Sequence, residues 1–177
     1  MKKIYKILIV IILIGLLYLI IKNNKDQYFK QIVLTDSNSV INVTNQTYMD
    51  TIVRVGLEQL NVNDCYITIK PMDPQVQKNF NDQTGLNLQA CIVGSSDMYD
   101  IYVEDMDRTT SIAILSHELK HLQQYHDGRL TVIGHGVVLW EGKKINVLDI
   151  PYDQRLWEIE AFNQQNGLAN SITKKLY

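Results

Sequence analysis

Apolar residues along this chain follow helical and strand periods, except in one stretch at its start that has no period. Met1 to Lys6 carries Lys2, Lys3 and Lys6, after which Ile7 to Ile21 is uncharged and departs from aliphatic residues only at Gly15 and Tyr18. Such a run falls between a signal-peptide core and a full bilayer span of about 20 residues. Leu19-Ile20-Ile21-Lys22 contains no small-x-small cleavage site. Residues 1–22 therefore read as an uncleaved signal anchor, in the membrane through residues 4–21. The lysines before the run outnumber Lys22 and Lys25 after it. By the positive-inside rule this predicts a single-pass protein of the cell membrane with its C-terminal domain outside the cytoplasm. Residues 23–38 read as a stalk, polar apart from Ile32 to Leu34, and residues 39–177 as one domain.

Within that domain, Ile52, Val53, Leu57 and Leu60 recur at helical spacing and predict a helix from near Thr47 to Leu60. Alternation over Cys65-Tyr66-Ile67-Thr68-Ile69 predicts a strand. Pro71 and Pro74 break the chain, and Asn79 to Asn87 reads as loop. Leu88 to Val93 reads as a second strand, Gly94-Ser95-Ser96 as a turn, and Tyr99 to Val103 as a third strand. Ile112, Leu115, Leu119 and Leu122 then mark a helix with Asp107, Thr109 and Thr110 as candidate caps and Gly128 just beyond its end. Val137 to Trp140 and Lys144 to Leu148 flank Glu141-Gly142-Lys143 and suggest a hairpin. Pro151 reads as the opening of a last helix through Leu156, Ile159 and Phe162 to about Asn166, with Gly167 or a later residue as its stop. The fold class predicted is α+β, a small domain with a short mixed or antiparallel sheet.

Composition narrows the function. A net charge of -2 and a pI of about 6.1 leave no basic footprint, which argues against a nucleic-acid partner. Apolar residues make up 46% of the chain, enough for one real core. Cys65 and Cys91 fall on predicted strands, and outside the cytoplasm they either pair or remain buried thiols. With no Cys-x-x-Cys spacing, they are poor candidates for metal ligands.

The helix after the third strand carries Ser116-His117-Glu118-Leu119-Lys120-His121-Leu122, an HExxH motif. Residues i and i+4 share a helix face, so His117 and His121 can aim two imidazoles at one metal ion while Glu118 stands beside it. A chance HExxH in a chain of this length has odds of roughly 1 in 200. A catalytic zinc needs three protein ligands and an open position, so the motif supplies two ligands and a base and lacks one ligand.

The last helix contains Arg155-Leu156-Trp157-Glu158-Ile159-Glu160-Ala161-Phe162, 37 residues on from His121 at Glu158. Together with HExxH this resembles the gluzincin class of zinc metallopeptidases, in a minimal membrane-anchored form, over roughly residues 99–166. The resemblance implies a zincin-like fold with Zn2+ bound by His117, His121 and Glu158. It also implies hydrolysis of peptide bonds in a peptide or protein substrate by a zinc-activated water, with Glu118 as general base. Glu158 and Ala161 match the Glu-x-x-Ala pattern of that class, while Phe162 stands where the pattern often has an aspartate that orients a motif histidine. In small metallopeptidases an edge strand often precedes the motif helix and can pair with an extended peptide, which makes Tyr99 to Val103 the candidate here. It can equally be an edge strand with no ligand.

Rivals for the third ligand are Glu160, which faces nearly opposite to Glu158, and Asp127, at the metzincin-like position but with Gln124 where the required glycine would stand. His126 and His135 are ordinary surface or core histidines on frequency alone, although His135, with Tyr152 and Arg155, is also a candidate donor to a reaction oxyanion. The alternative to an enzyme is a membrane-tethered binding or assembly module that retains a structural or relic zinc site. Glu118 argues against it, because a purely structural site has no need of a carboxylate next to its first ligand.

Overall fold

The computed structural model describes residues 38–95, 97–134 and 136–177. The expected anchor, the stalk as far as Ser37, and His135 lie outside the described residues. Among the described residues, no helix is long and apolar enough to cross a membrane.

The domain is α+β. In chain order it runs β1 (Asn38–Asn42), α1 (Met49–Leu60), β2 (Cys65–Pro71), α2 (Pro74–Thr84), β3 (Ala90–Ser95), β4 (Met98–Val103) and α3 (Arg108–His126). It continues through β5 (Leu130–Gly134), β6 (Val137–Trp140), β7 (Lys143–Asn146) and two single 3-10 turns to α4 (Leu156–Leu176). A four-stranded mixed sheet has the order β1-β2-β4-β3, and β5-β6-β7 forms a separate antiparallel meander. Ile67, Ile69, Tyr99, Ile101, Val103 and Ile92 project from one face of the larger sheet into a core shared with Met49, Ile52, Val53 and Leu57 of α1. Ile112, Leu115, Leu119 and Leu122 of α3 and Leu168 and Ile172 of α4 complete that core. A second cluster, Leu130, Val138, Trp140 and Trp157, joins the meander to the start of α4.

Several sequence expectations change. The stretch Asn79 to Asn87 is no loop up to Thr84, because α2 occupies it. Asp73 accepts hydrogen bonds from the N–H groups of Gln75 and Val76, Pro74 opens the helix, and Gly85 at φ +69° closes it. Tyr99 to Val103 is not an edge strand. Its residues pair with β2 on one side and β3 on the other, so the sheet edge on this side is β3. Gly94 belongs to that strand rather than to a turn. A Cβ there would lie 2.3 Å from the Met98 carbonyl oxygen and 2.6 Å from the Tyr99 ring, which explains the glycine.

At the chain's end, Pro151 precedes a 3-10 turn and not the helix itself, which starts at Leu156 and passes through Gly167 to Leu176. The hairpin at Glu141-Gly142 is present, with both residues at positive φ, as a two-residue primed turn requires. Cys65 and Cys91 are free thiols. They sit on strands separated by β4, and through Tyr102 Cys91 is level with Lys70 rather than Cys65. This offset is far beyond the roughly 7 Å limit between Cα atoms that a disulfide allows.

Candidate metal centre

Helix α3 starts where the sequence places a cap. The Asp107 carboxylate accepts from the N–H groups of Thr109 and Thr110 at 2.9 and 3.1 Å. The helix ends where Gly128, at φ +68°, donates its N–H to the Tyr125 carbonyl and Arg129 donates to that of Gln124. Leu115, Leu119 and Leu122 are fully buried and fix the roll of the helix, which turns His117, Glu118 and His121 toward α4 and the β3 edge. All three polar side chains are buried as well.

Glu158, in the first turn of α4, meets the two histidines. Its Oε2 lies 3.3 Å from His117 Nε2 and 3.2 Å from His121 Nε2, and the two nitrogens are 3.0 Å apart. A tetrahedral metal ion at roughly 2.0 to 2.1 Å from its donors holds them roughly 3.3 to 3.4 Å apart. The triangle is therefore close to one face of such a coordination shell. All three donor atoms converge on one point, so this buried group can hold a metal ion.

The electrostatics agree with a cation site. Burial opposes charge on Glu158, but hydrogen bonds with His117 and His121 outweigh it and hold the carboxyl far below the usual range. Burial likewise lowers the His121 imidazole, yet its contact with Glu158 prevails and pushes it up to about 9. Glu118 goes the other way. Burial raises its carboxyl, and the two histidines only partly offset this.

Glu118 also accepts a hydrogen bond from the backbone N–H of Ile92, which ties the carboxylate to the β3 edge. The direction of that edge follows from pairing. Gln89 accepts from Glu104 N–H, so odd-numbered residues of this segment face β4, and Leu88, Ala90 and Ile92 direct their backbone groups outward. Leu88 is satisfied there by Asn81 and Gln77 of α2. Ala90 is the residue whose outward N–H and C=O face the cleft beside Glu118.

Two cavities meet at this point, about 160 Å³ on the His121 side and about 290 Å³ on the His117 side. Phe80 of α2 and Tyr152 line both, their rings in an edge-on contact at 5.8 Å. The larger cavity is mostly apolar, with Leu86, Leu88, Ile114 and Phe162 among its walls. Tyr152 hydrogen-bonds to Glu158, and burial first, then the Glu158 charge, raises its phenol, which stays protonated. Arg155 lines the smaller cavity and donates to the carbonyls of Ile150 and Val147.

Of the rival ligands, Glu160 is held by Arg129 at 2.8 and 2.6 Å. Asp127 closes the C-terminal end of α3 beside His126, whose other ring nitrogen meets the Asn63 carbonyl at 3.2 Å. Neither joins the group of donors. Phe162 packs its ring on His117 at 4.4 Å, and His117 Nδ1 has no hydrogen-bond partner among the described residues. The residue that sequence reasoning passed over is Gln124, noted only as a missing glycine. Its side chain meets His121 Nδ1 at 2.9 Å and the Trp157 carbonyl at 3.0 Å. The i, i+3 spacing to His121 was the available signal.

An α+β domain with an HExxH helix, a carboxylate from a second helix and a cleft along a sheet edge is what fold and site define. Comparison with protein-family models, curated proteins and solved structures gives no match.

Proposed function

We propose that this protein is a zinc-dependent metallopeptidase of gluzincin type, anchored in the cell membrane by residues 4–21 with its domain outside the cytoplasm. The observation that carries the reading is the convergence of His117 Nε2, His121 Nε2 and Glu158 Oε2 within 3.3 Å of one another beside a buried Glu118. When bound there, Zn2+ supplies Lewis-acid polarisation of a carbonyl and lowers the pKa of water toward about 7.

The chain's own residues do the rest. Glu118, held by Ile92 N–H, takes the proton of the attacking water on its carboxylate and passes it to the leaving amine. Its raised pKa keeps it able to give the proton back. An extended peptide aligns on Ala90 at the β3 edge by backbone hydrogen bonds, with a side chain in the apolar cavity beside His117. Tyr152, which stays protonated and lines both cavities, is the donor for the developing oxyanion once its hydroxyl turns from Glu158.

The test is elemental analysis of the purified protein together with peptide hydrolysis before and after chelation. One zinc per chain, with activity lost to the chelator and restored by Zn2+, supports the reading. Zinc without hydrolysis of any peptide in a broad library favours a structural site. No zinc at all removes the assignment.

A further inference from the structure

Gln124 is 1% exposed and lies one turn beyond His121 on α3, facing α4. Its Nε2 is 3.0 Å from the Trp157 carbonyl oxygen, an atom that can only accept. That acceptor fixes the orientation of the amide, so Oε1 is the atom 2.9 Å from His121 Nδ1. Oε1 accepts only, so Nδ1 must carry the hydrogen. In the neutral ring that a metal ligand must be, His121 Nε2, the atom in the donor triangle, then keeps its lone pair for a metal.

We propose that Gln124 is the positioning residue of the metal centre. It selects the ligating tautomer of His121 and, through Trp157, the residue before Glu158, sets the third ligand relative to the first two. The inference rests on the metal reading above. His117 has no such support, since its Nδ1 is unpartnered among the described residues and its ring leans on Phe162. One neutral amide therefore does for His121 what a carboxylate behind a ligating histidine does in many zinc centres.

Gln124→Met keeps length and approximate volume while removing both hydrogen bonds. The full-chain variant is expected to bind Zn2+ roughly 10- to 100-fold more weakly than the wild type in a competitive chelator titration. In nitrogen-15-edited NMR of the zinc-loaded protein, the hydrogen-bonded Nδ1–H signal of His121 is expected in the wild type and lost in the variant, while His117 shows none in either. Unchanged affinity with a retained His121 signal overturns the proposal and leaves the metal reading intact. A wild type that binds no Zn2+ overturns both. Should the variant fail to fold, the wild-type spectrum still decides, because a zinc-loaded His121 without a hydrogen-bonded Nδ1–H refutes the role.

Discussion

Arg129 grips the Glu160 carboxylate with both terminal nitrogens, at 2.8 and 2.6 Å, while Glu158, two residues earlier on the same helix, faces the histidines. Positions two apart on a helix point about 200° away from each other, so one carboxylate serves the donor group and the other ties α4 to the chain leaving α3. Glu158→Ala is expected to lose most bound zinc on dialysis and Glu160→Ala to retain it, as elemental analysis will read.

The same pair makes a pH prediction. Hydrogen bonds from Arg129 lower the Glu160 carboxyl from its ordinary 4.5, against a smaller effect of burial. Its stabilisation is thus fully present above about 4.5, the unfolded value, and fades as pH falls through the depressed folded value. Both side chains are partly exposed, so the effect at neutral pH is about 1 kcal/mol. Urea unfolding of wild type and Glu160→Gln should differ by that amount at neutral pH and converge in acid.

Glu118→Gln tests the base. Glutamine keeps the shape but cannot take a proton, so zinc content should match the wild type while hydrolysis falls by at least about 100-fold. Activity equal to the wild type, measured on any peptide the protein cleaves, would take Glu118 out of the mechanism.

Ala90→Pro addresses the substrate edge. Proline is tolerated as the first residue of a strand and on an outward edge, and Ala90 is both, so the fold should survive. The outward N–H is removed, and KM for extended peptides should rise about tenfold with zinc unchanged, the loss of roughly one hydrogen bond. Unaltered KM would move the peptide elsewhere in the cleft.

Both thiols are predicted to be inert. Burial pushes Cys65 up to about 11 and Cys91 up to about 12, with nearby carboxylates adding to each. Iodoacetamide near pH 8 should label neither in the folded protein and both in denaturant, since only the thiolate reacts. A mass corresponding to a disulfide in the non-reduced protein would contradict the strand order.

The sequence alone determined the parts whose physics is local. The HExxH spacing, a cap among Asp107, Thr109 and Thr110, the Gly128 stop and the leucine stripe of α3 are consequences of helical period and of which residues can adopt a cap or a left-handed turn. Glu158 was also legible, through the pattern it shares with a known class. α2 was missed because its polar face buries little. Its start signal, Asp73 before Pro74, looks in the sequence the same as a proline break.

Tertiary structure decided what depends on neighbours distant in the chain. β4 alternates like an edge strand, but pairing with both β2 and β3 places it inside the sheet, and alternation cannot report how many partners a strand has. The choice of Glu158 over Glu160 rests on where Trp157 packs, 6.2 Å from Trp140 between ring centres, and on Arg129 taking the other carboxylate. Gln124 acquires its significance only when α4 brings the Trp157 carbonyl within 3.0 Å. A hydrogen bond across 33 residues has no periodicity for the sequence to display.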